Sequence, residues 1–173
     1  MAPAEKTYSQ KRLEDPFTLY VLLTEPLVIE VRDLMQAMAE DYPSVRMPSG
    51  KLIGQETIHS SGVGMAYFDP CEKAPSAMIM ASPRPISGDI DWAMVLQKSR
   101  LVFPDAAEVV ERHQSRLSIT VHATGTSLAE RFEAARLLTC IGAVLARLPI
   151  CTGLYFPSAD MILPPKSWIH AAQ

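Results

Sequence analysis

The sequence predicts an α+β protein, and its most regular stretch carries the prediction. Residues 117–122 alternate between apolar and polar side chains, as a strand with one buried face does. Residues 127–130 then have the form of a capping box, so a long helix is expected up to Leu148, before Pro149. Residues 137–146 of this helix carry no charge and should be buried nearly all round. Strand, long helix and a further strand therefore follow one another.

The first structured part of the chain predicts a strand and a helix. Residues 18–23 are apolar on both faces apart from Thr18, which favours a central position in a sheet. Thr24 is expected to cap the following helix, with Pro26 tolerated in its first turn. The apolar stripe of this helix has helical spacing and consists of Leu27, Val31, Leu34, Met35 and Met38.

The middle of the chain predicts a β-hairpin and two short helices. Residues 63–68 and 77–81 read as the two strands of the hairpin, after a short extended piece at 51–53. Residues 89–98 and 105–114 read as the helices, the second introduced by Pro104. At the other end of the chain, residues 161–163 form a last strand, which Pro164 and Pro165 terminate.

The order of these elements predicts a ferredoxin-like topology. From residue 17 to residue 123 the order is strand, helix, strand, strand, helix, strand, the βαββαβ order of the split βαβ arrangement with a mixed or antiparallel sheet. The long helix and a C-terminal β-hairpin would then be additions. Residues 1–16 are expected to be a flexible N-terminal tail, and residues 17–173 a single α+β domain, as the length suggests.

The composition predicts a cytoplasmic protein without nucleic-acid or membrane partners. Net charge is −3 and the 16 basic residues are scattered, whereas binding to a phosphate backbone needs them clustered. Three cysteines without a CxxC pair favour a reducing compartment over a disulfide framework or a zinc site. The N-terminus is charged rather than signal-like, and the longest uncharged apolar segment is about half of a membrane span.

Three residues are candidates for catalysis. His59 and Ser61 belong to a glycine-containing stretch where a histidine would activate a hydroxyl. No helix follows this stretch, and a polar loop before a strand is the simpler interpretation. His122 lies on the polar face of its strand and would act as a proton shuttle if a carboxylate oriented it. A structural role is again the simpler one. His113 is explained as a cation favoured by a helix end.

The candidates for binding are Arg84, held between two prolines, and the tryptophans Trp92 and Trp168. The nine methionines are high for this length. Four of them, at residues 35, 38, 78 and 80, are assigned to the core as gap-filling side chains, with an adaptable methionine-lined binding surface as the alternative. The histidines show no HxH or HExxH spacing, so neither a metal nor a cofactor is expected.

Several motifs follow one another along the chain: Asp91-Trp92, Ser99-Arg100, residues 103–107, residues 113–121, the long helix, Gly153-Leu154-Tyr155 and Pro164-Pro165. Their order resembles a bacterial family, the domain-of-unknown-function family numbered 4261. The resemblance covers the chain from Thr18 onward and implies a bacterial origin. Because members of the family often extend further, it also implies a short form that ends soon after Trp168. It carries no catalytic residue over to this sequence.

The sequence predicts a small cytoplasmic bacterial protein-binding or accessory module, of an effector-neutralising or assembly-associated type, without catalysis. The basis is a good core with no convergent acid, base, nucleophile, metal or cofactor motif. The partner is another protein or a second copy of the chain. One alternative is a hydrolase or transferase using His59 or His122. Another is a homo-oligomeric structural unit that pairs through a sheet edge.

Overall fold

The computed structural model describes residues 15–45, 52–59, 64–68, 74–86 and 90–173, which contain nine strands and five α-helices. The α+β class is thereby confirmed. The strands are β1 (Phe17–Leu23), β2 (Val28–Glu30), β3 (Leu52–Gly54), β4 (Thr57–His59), β5 (Gly64–Phe68), β6 (Ser76–Ser82), β7 (Ser115–His122), β8 (Cys151–Phe156) and β9 (Met161–Leu163). The helices are α1 (Val31–Asp41), α2 (Trp92–Ser99), α3 (Ala106–Arg112), α4 (Leu128–Ala146) and α5 (Pro165–Ala171).

Seven strands form one sheet in the order β3-β5-β6-β7-β1-β8-β9. All of its neighbouring strands pair antiparallel. The other two strands, β2 and β4, form a separate antiparallel pair. The predicted central hairpin is confirmed as β5 and β6, and the last two strands, β8 and β9, also pair. The expected tail lies outside the described residues as far as residue 14.

The ferredoxin-like order is wrong at β7. That arrangement places its first strand beside its third, so β1 would lie next to β6. Instead β7 lies between them. The reason is the polarity of the two strands. Strand β1 buries residues on both of its faces and lies where helices cover both sides of the sheet. The buried residues of β7 are Ser115, Leu117, Ile119 and Val121, which lie on one face. Described helices cover only that face of β7.

Helix α4 is part of the main core and is not an addition to it. It packs against β1, β7 and β8, and nine of its residues are buried, among them Leu137, Leu138 and Ile141. These side chains belong to the same buried cluster as Leu19 and Ile119 of the sheet. Burial of the uncharged second half is thus confirmed. Within the described residues, no helix is long and apolar enough to cross a membrane.

The capping box at the start of α4 is also confirmed. The Ser127 hydroxyl accepts a hydrogen bond from the Glu130 backbone N–H at 3.3 Å, and the Glu130 carboxylate accepts one from the Ser127 N–H at 3.1 Å. Hydrogen bonds from Ser127 lower the pKa of the Glu130 carboxyl. Two backbone donors that the helix leaves free are satisfied in this way.

A smaller core lies on the opposite face of the sheet. There α2 packs over β9 and α3 over β8. The buried residues of this core come from both helices and from β1, β8 and β9, and include Leu22, Val95, Val109, Tyr155 and Ile162. Because α2 and α3 lie on the side of β8 and β9, the covered part of this face ends near β1.

The first helix begins later than the sequence suggested. Residues 28–30 form β2 instead of a first helical turn, because the β-branched Val28 and Ile29 favour a strand and β4 supplies a pairing partner. Helix α1 starts at Val31 and buries Val31, Leu34 and Met38, three members of the expected stripe.

Helix α5 follows Pro164, where the sequence predicted only the end of the last strand. Pro165 occupies the first helical turn, where a missing N–H removes no helical hydrogen bond. The helix places Trp168 against α4, and the indole Nε1 donates a hydrogen bond to the Thr139 carbonyl at 2.9 Å. Gly142 leaves room for this ring, because a Cβ there would overlap the indole.

Candidate functional site

Half of the sheet face that carries α2 and α3 is left uncovered by the described helices. Strand register places six outward side chains of β5, β6 and β7 there in two rows of three. All six are partly or largely exposed. We call this set the open face: Met65, Met80 and Ser118 in one row, and Tyr67, Met78 and Thr120 in the other.

Local alternation produces the open face. Along β5 the buried residues are Gly64, Ala66 and Phe68, so Met65 and Tyr67 point to the other side of the sheet. The sequence analysis did not select Met65 or Tyr67. Their alternation with smaller or buried neighbours was the available signal, but it does not tell which face a helix will cover.

The expected core positions of Met78 and Met80 are wrong. The side of β6 that packs into the main core consists of Ala77, Ile79 and Ala81, all nearly inaccessible. The two methionines alternate with these residues and belong to the open face, where both remain partly exposed. The alternative interpretation, a methionine-lined surface, therefore describes their position better.

An aromatic group borders the open face on the side of α2. The rings of Tyr20 and Tyr155 stack with centroids 6.0 Å apart, and Trp92 packs on Tyr155 at 5.4 Å. Tyr20 also lies opposite Ser118 in the register of β1 and β7. The binding candidate Trp92 is therefore half-buried at the border between the covered and the open half of the sheet.

Arg116 and His122 lie near the two ends of β7. At one end, the Arg116 guanidinium donates hydrogen bonds to the carbonyls of Arg84 and Pro85, which fixes the loop that follows β6. The side chain of the binding candidate Arg84 is exposed beside it. At the other end of β7, His122 is exposed on the same face of the sheet, opposite Ser76.

The two candidate catalytic histidines do not share a site. His59 ends β4, and its backbone nitrogen lies 3.3 Å from the position of a Cβ on Gly64. Gly64 pairs with Ala81, and Ala81 pairs with Leu117 of β7. His59 therefore lies at about the same level along the strands as Leu117. His122 is five residues farther along β7, about 16 Å at 3.3 Å per residue. The third candidate, Ser61, lies outside the described residues.

His113 is a buried histidine whose hydrogen bonds require a neutral ring, which corrects its interpretation as a cation favoured by a helix end. Its Nδ1 lies 2.7 Å from the carbonyl oxygen of Val110, and its Nε2 accepts a hydrogen bond from the Ile86 backbone N–H at 2.9 Å. The Nδ1 atom must therefore carry the proton and donate it. Burial lowers the pKa of the ring. The side chain ties α3 to the loop after β6.

The described cysteines do not have the character of nucleophiles. Burial raises the pKa of the Cys140 thiol, and it raises that of Cys151 to about 12. A reactive cysteine needs the opposite shift. Cys71 lies outside the described residues. In the parts of the chain that the structure describes, no three His, Cys, Asp or Glu side chains group closely enough to hold a metal ion.

A cavity of about 340 Å³ beside α4 holds two arginines, but both are engaged with the chain. Arg147 forms an ion pair with Asp41 and donates to the Tyr42 hydroxyl at 3.4 Å. Arg136 donates to the Ser44 carbonyl at 3.3 Å. These contacts fasten the end of α1 to α4. They account for both guanidinium groups without a ligand.

Among the residues that the structure describes, the other exposed apolar side chains occur singly or in pairs. Leu101 is 94% exposed in the turn after α2, and Leu128 and Phe132 are exposed on the first turns of α4. Single apolar residues of this kind are normal on protein surfaces. The binding candidate Trp168 is buried under α4. The open face is thus the continuous surface that distinguishes this molecule.

No family model, curated protein or solved structure was found to match this chain.

Proposed function

We propose that this chain is a protein-binding or accessory module that engages its partner through the open face. One observation carries the proposal: α2 and α3 cover the β8 and β9 half of one sheet face, while the adjoining methionine and tyrosine rows remain accessible. Exposed apolar surface bordered by polar side chains is typical of interaction sites, and methionine adapts its shape to a partner.

The class of module and its setting are part of the proposal. A cytoplasmic bacterial protein of the effector-neutralising or assembly-associated type fits the three cysteines without a CxxC pair and the resemblance to family 4261. The separation of His59 and His122 leaves each without the other as a catalytic partner. A hydrolase or transferase using one of them remains the rival, and a homo-oligomer pairing through edge strands β3 or β9 is the second.

The test compares three baits in affinity purification from the source cell with quantitative mass spectrometry. Met65→Glu places a charge on the open face, whereas Met94→Glu places one on α2, outside it. The two methionines are 43% and 37% exposed, which makes them a matched pair. We expect one partner to be retained by the wild type and by Met94→Glu and to be lost by Met65→Glu.

Two results would contradict the proposal. Equal recovery of every protein on all three baits would place the interaction elsewhere. Recovery of no protein above background would remove its basis and favour the enzymatic rival. That rival is then tested by the His59→Ala and His122→Ala variants against model ester substrates.

A further inference from the structure

Residues 83–86, which follow β6, are held by two side chains from the junction of α3 and β7. We call these four residues the seated segment. The Arg116 guanidinium donates hydrogen bonds to two of its carbonyls, and His113 accepts one from the Ile86 backbone N–H. The Ile86 side chain is buried in the smaller core. The segment therefore has a defined position, and His113 is one of its two fastenings.

The His113 ring fits this position only when it is neutral. A backbone N–H always donates, so the Nε2 atom that lies 2.9 Å from the Ile86 nitrogen must present its lone pair. The ring proton is on Nδ1, which donates to the Val110 carbonyl at 2.7 Å. A protonated imidazole carries hydrogen on both nitrogens. A proton on Nε2 would therefore point at the Ile86 N–H and turn the hydrogen bond into a repulsive contact between two donors.

The described surroundings do not stabilise a positive charge on His113. The ring is 4% exposed, and burial is the main cause of its lowered pKa. Arg116 adds to this effect because it is a second cation nearby. Among the described residues, no carboxylate forms an ion pair with His113. The protonated ring is therefore more stable in water than in its buried position.

The other ionisable side chains of the adjoining elements leave this balance unchanged. On β8, Cys151 and Tyr155 are uncharged at neutral pH, because burial raises both pKa values. The charged side chains are all exposed, where solvent and salt screen them. They are Glu25 after β1, Arg84 of the seated segment, Asp91 before α2, and Glu108, Glu111 and Arg112 of α3.

We infer that His113 is a proton-operated latch, which holds the seated segment in place while the ring is neutral and releases it when Nε2 takes up a proton from solvent. On release, Ile86 leaves the smaller core and the charged ring turns toward water, while the seven-stranded sheet stays folded. This inference does not rest on the proposed function.

The pH range of the latch follows from the two states of the ring. In the released state His113 has an ordinary pKa of about 6.5. In the seated state burial lowers that value. Above the released pKa both states are neutral, so opening does not depend on pH. Between the two pKa values, each unit by which the pH falls raises the equilibrium constant for opening about tenfold.

The test is native-state hydrogen exchange of single amides, followed by NMR between pH 5 and pH 8 in low concentrations of urea. We expect the protection of the Ile86 amide to fall about tenfold per pH unit below about pH 6.5 and to change little with urea, as local opening requires. Val21 is the reference, since it is completely buried and lies between β7 and β8. Its amide should exchange only by global unfolding, so its protection should fall steeply with urea.

Two variants identify the group that takes up the proton. His113→Gln offers a side-chain oxygen near the position of Nε2 and does not titrate, so Ile86 should lose its pH dependence. Asp89→Asn removes an acidic residue that follows the seated segment and lies outside the described residues, and it should leave the pH dependence unchanged. The ¹⁵N signals of the His113 ring test the wild type without any substitution. They should show the proton on Nδ1 at pH 7.5 and a pKa below about 6.5.

Several results would overturn the latch. Protection of Ile86 that is independent of pH, or that falls with urea as steeply as that of Val21, would mean that the segment opens only when the whole protein unfolds. A pH dependence that persists in His113→Gln, or disappears in Asp89→Asn, would assign the proton to another group. A ring that carries its proton on Nε2 at pH 7.5 would contradict the geometry directly.

Discussion

The Ser99 hydroxyl accepts a hydrogen bond from the Ile162 backbone N–H at 2.8 Å and donates one to the Val95 carbonyl at 2.7 Å. Ser99 is completely buried. One small side chain therefore fastens the last turn of α2 to the edge strand β9. This contact holds α2 over the β8 and β9 half of the sheet and leaves the open face beside it.

Replacing Ser99 by alanine should lower the free energy of unfolding by about 1–3 kcal/mol, because the buried Ile162 N–H loses its acceptor. Urea denaturation monitored by circular dichroism measures the loss. Ser158→Ala removes an exposed hydroxyl and serves as the control, with an expected change within about 0.5 kcal/mol. Equal losses in the two variants would show that the hydrogen bond is unimportant.

His113 should make the protein less stable as the pH falls below about 6.5. Burial lowers the pKa of His113 in the folded state, so the unfolded chain takes up a proton that the folded chain does not. Stability is complete above the unfolded pKa and declines below it, by at most about 1.4 kcal/mol per pH unit until the folded pKa is reached.

The measurement for His113 is a series of urea titrations between pH 5 and pH 8 on the wild type and on His113→Asn. The variant should be less stable at pH 8, since it loses the hydrogen bonds to Val110 and Ile86. It should also lose part of the pH dependence below pH 6.5. An unchanged slope would mean that other groups cause the acid sensitivity.

Gly142→Ala should destabilise the protein by about 1–3 kcal/mol, because the new methyl group overlaps the Trp168 indole and Leu19. Thermal unfolding of four proteins, arranged as a double-mutant cycle with Trp168→Phe, measures the coupling. If the indole is the obstacle, Gly142→Ala costs less in the Trp168→Phe background. Additive losses would assign the cost to Leu19 or to the helix itself.

The buried thiols should be unreactive in the folded protein. A Cys71→Ser variant leaves Cys140 and Cys151, and burial raises the pKa of both. With dithiobis(nitrobenzoate) at pH 8, we expect no thiol to react in the native protein and two to react in urea. Rapid release of one equivalent of chromophore from the native protein would reveal an accessible thiol and contradict the described burial.

Local signals in the sequence were sufficient for the elements with strong internal patterns. The capping box of Ser127 and Glu130, the uncharged half of α4 and the alternation of β7 all appear as expected. Each depends on residues a few positions apart. Val28 and Pro165 misled the prediction. A β-branched residue two positions after a proline can begin a strand or lie in a helix, and a proline can end one element or begin a helix.

Pairings between distant residues explain what sequence patterns did not reveal. The position of β7 between β6 and β1 depends on residues far apart in the chain. The same is true of the open face. Alternation shows that Met78 and Met80 share a side of β6, but not that α2 stops short of them. The sequence therefore offered Met78 and Met80 as part of a binding surface only as an alternative, and the structure showed that they share one face with Met65 and Tyr67.

The central place of β1 has a consequence for biosynthesis. Leu19 pairs with Ile119, and Val21 pairs with Leu154. Strand β1 therefore cannot form its native pairs until β7 and β8 have been synthesised. At about 5–20 residues per second, translation keeps this apolar strand unpaired for roughly 5–25 s. An apolar strand that stays unpaired for this long can aggregate, and the seven-stranded sheet is complete only once β9 has been synthesised.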